Sequence, residues 1–77
     1  MPHIHIQHYP RDFTPGQLKD IDEAVTAAVT RAFGIDEEAV SISLEPVAPE
    51  DWTGRVLDEI GAHRDRLLRE PGYWNEK

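Results

Sequence analysis

Two features near the start of this chain could do chemistry. The first is Pro2, which stands directly behind Met1. While the initiator methionine is attached, the proline nitrogen is a tertiary amide with no basicity. Initiator methionine is usually trimmed when a small residue or proline follows it, and trimming leaves a secondary amine. An α-amino group has a reference pKa of about 7.7 to 8.0, and an apolar pocket or a nearby cation lowers it by disfavouring the charged form. A neutral amine of that kind is a general base suited to physiological pH. The second feature is the pair His3 and His5. On one face of a strand their imidazoles could bind zinc or nickel, with Glu45 or His8 completing the set. Neither feature decides a function alone. Proline is common as a second residue, and a His-x-His pattern in a strand more often just makes hydrogen bonds.

Either chemistry needs a scaffold, and the pattern of apolar residues supplies one. Residues 2–9 alternate, with Ile4 and Ile6 on the face of Pro2 and His3, His5 and Gln7 on the other, which predicts a strand. Pro10-Arg11-Asp12 is turn-like. Thr14-Pro15-Gly16-Gln17 has the form of a capping box with proline at the first helical position, where its missing N–H is harmless. The helix expected over 15–33 carries Leu18, Ile21, Val25, Ala28, Val29 and Ala32 as one apolar stripe, ending at Phe33 and the helix-stopping Gly34. Lys19, Asp22, Glu23 and Arg31 fall on the opposite face.

Asp36-Glu37-Glu38 reads as a solvated turn before a second strand over 40–45, where Val40, Ile42 and Leu44 alternate with Ser41, Ser43 and Glu45. Strand, long helix, strand makes an α/β unit of β-α-β type. It closes with parallel strands and a right-handed crossover, so the helix stripe covers Ile4, Ile6, Val40, Ile42 and Leu44 and leaves the other sheet face mostly polar. A C-terminal helical region is expected over 50–69. It starts near Pro49-Glu50-Asp51-Trp52, continues through Val56, Leu57, Ile60, Arg64, Leu67 and Leu68, and has a break at Gly61. Pro71-Gly72-Tyr73-Trp74 closes the chain as an aromatic turn, and Leu67, Leu68, Tyr73 and Trp74 are expected to serve packing or an interface.

Composition narrows the partners. With 77 residues the chain forms a single domain, and a core of this size buries only about 60% of the surface its unfolded chain exposes. There is no cysteine, hence no disulfide or thiolate metal site, and oligomerisation is the remaining support. Two strands and a helix are marginal alone, whereas two such units paired edge to edge make a four-stranded sheet with two helices on one face. The net charge is −7, from 15 acidic and 8 scattered basic residues, which argues against nucleic acid as a partner. No apolar run approaches the roughly 20 residues of a membrane span, and the opening residues lack a secretion pattern, so a soluble cytoplasmic protein is expected.

A β-α-β chain of this length that opens Met1-Pro2-His3-Ile4 and returns through the 40–45 strand to a downstream aromatic resembles the 4-oxalocrotonate tautomerase family over nearly its whole length. Pro49-Glu50-Asp51-Trp52 and the closing Pro71-Gly72-Tyr73 resemble the longer bacterial branch, whose members form dimers, more than the shorter chains that form hexamers. The resemblance implies a homodimer, with a hexamer as the alternative. It implies an isomerase that needs no cofactor and no metal, transferring a proton between enol and keto forms of a 2-hydroxy-dienoate or 2-ketoacid. Pro2 is then the general base. Arg11 lies near the family's substrate-binding arginine, and a guanidinium holds a carboxylate through two hydrogen bonds.

Hexameric members carry a second arginine where this chain has Ser41, which could donate one hydrogen bond to substrate but brings no charge. Trp52 stands where the family places an aromatic that walls the pocket, excluding water and helping to lower the amine's pKa. In some branches the same proline supports dehalogenation or hydration. Glu45 and Glu50 are the acidic candidates for that chemistry, and isomerisation is favoured over it. The rival from another class is a non-catalytic dimeric module of the same fold, binding metal through His3 and His5.

Overall fold

The capping box forms as the sequence reads. In the computed structural model, which describes residues 1–75, the Thr14 hydroxyl accepts from the Gln17 N–H at 3.1 Å and the Gln17 side-chain oxygen accepts from the Thr14 N–H at 3.0 Å. Two N–H groups that a helix start leaves without partners are thereby satisfied. Helix α1 runs Pro15–Phe33 with the proline in its first turn. Gly34 ends it at φ 66°, the left-handed conformation that glycine adopts without a Cβ clash, and its N–H bonds the Thr30 carbonyl at 2.9 Å.

The helix joins two parallel strands, β1 (His3–His8) and β2 (Ser41–Pro46), with His3 opposite Ser41 and His8 opposite Pro46. Both differ by a residue from the expected ranges. Pro2 has no N–H to give to a ladder and stays outside β1, although its carbonyl accepts the Ser41 N–H at 3.2 Å. Val40 is claimed by the exposed 3-10 turn Glu37–Ala39, since its N–H bonds the Glu37 carbonyl at 3.0 Å, so β2 starts at Ser41.

The chain divides into two compact units, Met1–Pro46 and Val47–Lys77. In the first, Ile4, Ile6, Val40, Ile42 and Leu44 are half-buried, as expected of the apolar sheet face. The helix face is rotated from the expected stripe. Ile21, Val25, Thr26, Val29 and Thr30 are half-buried, whereas Ala28 and Ala32 are exposed and Leu18 and Phe33 keep 43% and 65% of their surface. Threonines tolerate this place because their hydroxyls bond within the helix, Thr26 to Asp22 at 3.1 Å and Thr30 to the Ala27 carbonyl at 3.2 Å. No residue of α1 is fully buried. A hollow of about 330 Å³ lies open between α1 and β2, lined by Leu18, Ile21, Val40, Ile42 and Leu44 among others. The two-stranded sheet has no further strand on either edge among the described residues.

The second unit contains the buried core valines, Val47 and Val56. Its helical region covers much of the expected 50–69 as a run of short pieces. A 3-10 turn (Pro49–Asp51) leads into a wide π turn (Thr53–Leu57), then a short helix α2 (Asp58–Ala62), then another 3-10 turn (Arg64–Arg66). The break falls at His63, with φ −131° and ψ 45°, rather than at Gly61. The Arg64 guanidinium donates to one Glu70 oxygen from Nε at 2.9 Å and from Nη2 at 2.6 Å, and packs 4.8 Å from the centroid of the Trp74 ring. Leu67 is half-buried in this turn and Leu68 is fully exposed. No helix among the described residues is long and apolar enough to cross a membrane.

The cap gives a direct test of the helix start. Replacing Thr14 by Ala is expected to lower the unfolding free energy by about 1 kcal/mol, read from the urea midpoint. An unmoved midpoint would show that the observed cap does not hold the helix.

Candidate active site

Pro2 sits at the head of β1, half-buried, behind a Met1 that is fully exposed. Removing Met1 therefore strips away little packing. Beside this end of the chain opens a hollow of about 430 Å³ rimmed by Met1, Gly34, Ile35, Asp36, Glu38 and Ala39. Its charged side chains are Asp36 and Glu38, and it lies at the C-terminal end of α1. No cationic side chain is among the residues rimming this hollow.

The other sheet face carries a polar ladder. His3 Nδ1 lies 2.7 Å from the Ser41 hydroxyl and His3 Nε2 lies 3.2 Å from the Ser43 hydroxyl. One position along, His5 Nε2 is 3.1 Å from Glu45 Oε1, and the Gln7 amide donates to the same oxygen at 3.2 Å. Both imidazoles thus reach across to β2. Among the described residues no group of three or more His, Cys, Asp or Glu side chains is arranged to hold a metal ion. His8, the other histidine of β1, bonds the Tyr9 carbonyl at 2.7 Å and meets Phe13 edge-on at 5.4 Å.

Arg11 is exposed and its guanidinium lies 4.8 Å from the Phe13 ring centroid, so Phe13 stands between Arg11 and His8. No carboxylate among the described residues pairs with it, which leaves its planar fork of donors available. These contacts hold Arg11 at the His8 end of β1, and the six-residue strand puts roughly 17 Å between His3 and His8. Trp52 belongs to the second unit, half-buried, with its indole N–H donating to the Tyr73 hydroxyl at 3.1 Å. Of the four expected site residues, the structure brings Pro2 and Ser41 together and holds Arg11 at the far end of the strand. The bridge from His3 to Ser43 and the support of Arg11 by Phe13 are additions that spacing does not show. Reading residues 40–45 as β2 leaves its register with β1 open, and only the observed register sets His3 against Ser41.

The family model for the tautomerase enzymes matches residues 2–56, which takes in β1, α1 and β2 and begins at Pro2. A protein named tautomerase PptA from Cronobacter sakazakii is 36% identical over 74 residues, covering 95% of this chain and 97% of that protein. Proteins of the same name from Pectobacterium carotovorum and Escherichia coli are 34% and 32% identical, each again over 95% of this chain and 97% of its own length.

The stacking of Arg11 on Phe13 can be measured without a substrate. A double-mutant cycle of Arg11→Ala and Phe13→Leu is expected to return a coupling of about 0.5 to 1 kcal/mol in urea unfolding. A coupling of zero would mean that the ring does not hold the guanidinium.

Proposed function

The chain belongs to the tautomerase enzyme family, and from that premise we propose that it moves protons between oxygen and carbon of enol and keto acids with Pro2 as general base. Once Met1 is removed, the Pro2 amine takes the hydroxyl proton of a 2-hydroxy-dienoate. The O–H electrons become the carbonyl, the conjugated double bonds shift, and the prolyl ammonium gives its proton to a carbon of the chain. The substrate gains and loses nothing overall, which is the balance of an isomerisation. The single observation that carries this reading is Pro2 at the accessible head of a strand, behind a methionine with no packing of its own.

Arg11 is the proposed binder of the substrate carboxylate. Because β1 separates it by roughly 17 Å from the Pro2 end of its own strand, we assign it to the Pro2 of a neighbouring copy. Antiparallel pairing of two β1 edges in a homodimer would bring the Arg11 end of one strand to the Pro2 end of the other. The neighbour would then supply the cation that the Asp36 and Glu38 hollow lacks, lowering the amine's pKa by disfavouring its charged form. Trp52 is the proposed aromatic surface for the conjugated substrate.

Hydration or dehalogenation with Pro2 as general acid is a second reading, for which the hollow beside the chain end offers the acidic side chains Asp36 and Glu38. The pH dependence separates the two. A base must lose its proton to act, so kcat/KM rises with pH through the amine's titration, whereas for an acid it falls through the same range.

Pro2→Ala is expected to keep the fold, by circular dichroism, and to lower ketonisation of phenylenolpyruvate on the order of 10²-fold. Unchanged turnover would remove Pro2 as the base. Arg11→Ala is expected to raise KM for the acid but not for its ester. Refolding Pro2→Ala and Arg11→Ala chains together is expected to give, at low substrate, more activity than either variant alone, because a mixed dimer contains one complete site. No recovery in mixed dimers would place both residues in a site of one chain.

A further inference from the structure

We propose that His3 is the positioning residue for the Pro2 amine, clamping the head of β1 through Ser41 and Ser43; this rests on Pro2 being the group that moves the proton. After trimming, Pro2 is the terminal residue, and chain ends fray unless something ties them down. Proline gives the ladder no N–H, and the backbone tie at Pro2 is the bond from the Ser41 N–H to its carbonyl at 3.2 Å. The adjacent residue supplies what the backbone lacks. The exposed imidazole of His3 lies between two hydroxyls of β2, with Nδ1 at 2.7 Å from Ser41 and Nε2 at 3.2 Å from Ser43.

Ser41 and Ser43 point to the same face of β2 and stand about 7 Å apart, a gap that a planar ring with a nitrogen toward each end can bridge. A hydroxyl donates and accepts, so a neutral imidazole is satisfied on both sides, its N–H donating to one serine and its bare nitrogen accepting from the other. Ser41 also holds Pro2 through its own N–H. One residue of β2 therefore fixes the peptide that carries the amine and the side chain that follows it. At 2.7 Å from the imidazole, the Ser41 hydroxyl is engaged with His3. The clamp is not needed for the strand pairing itself, which continues from Ile4 opposite Ile42 to His8 opposite Pro46. What depends on it is the direction of the Pro2 lone pair, and proton transfer is sensitive to small misplacements of a reacting group.

The test uses the trimmed, full-length protein and ketonisation of phenylenolpyruvate. His3→Ala is expected to lower kcat about 10- to 100-fold with KM little changed. His3→Gln, whose amide also donates and accepts, is expected to recover most of the loss, and Ser41→Thr to act nearly as wild type where Ser41→Ala does not. A His3→Ala protein with full kcat overturns the proposal. So does one that changes KM alone, which would make His3 a substrate contact, or a His3→Gln protein as slow as His3→Ala, which would make the imidazole a proton carrier. Backbone relaxation by NMR reads the clamp without turnover. The amide of residue 3 is expected to become more mobile on the ps–ns timescale in His3→Ala, and unchanged order there contradicts the clamp. Absence of turnover in the wild type would remove the role of Pro2 and leave the relaxation result to judge the clamp.

Discussion

The parallel pairing of β1 with β2 is the constraint on which the first unit depends. Parallel strands cannot be joined by a tight turn, so the chain must cross over, and α1 is that crossover. The crossover returns β2 beside β1 with Ser41 against His3, which ties down the end that carries Pro2. The same pairing keeps β1 extended, and an extended strand holds Arg11 away from the Pro2 end. A proposed site that needs both an amine and a guanidinium is therefore divided by the geometry of the element that carries them.

The unfinished burial of this unit fits that division. Neither strand nor α1 buries a side chain fully, the sheet has two strands among the described residues, and apolar residues of α1 and β2 border an open hollow. A second copy would cover such surfaces and would carry its own Arg11. Stability and chemistry then have one solution in common.

Much of this was legible in the sequence because it rests on local rules. The capping box and Gly34 give α1 its ends at Pro15 and Phe33, and alternation locates both strands to within a residue. The remainder depends on contacts between distant residues. Register follows from the 3-10 turn that takes Val40, and the helix face rotates toward Thr26 and Thr30 because their hydroxyls find partners inside the helix. The C-terminal region breaks where Arg64 reaches Glu70, an interaction that helical periodicity does not encode. The same limit applies to the candidate site. Pro2 stands out by its place in the chain, whereas the role of Ser41 changes once its hydroxyl is found against His3.

The central claim is that the nitrogen of Pro2 works only as a free amine. It is tested most directly by preparing the protein in two forms, one with Met1 retained and one with it removed, verified by intact mass, and comparing kcat/KM for phenylenolpyruvate. Turnover by the trimmed form and none by the form that keeps Met1 is the predicted result. Equal turnover by both would contradict it, because the lone pair of an amide nitrogen is delocalised into the carbonyl and cannot take up a proton, and the chemistry would have to belong to another group.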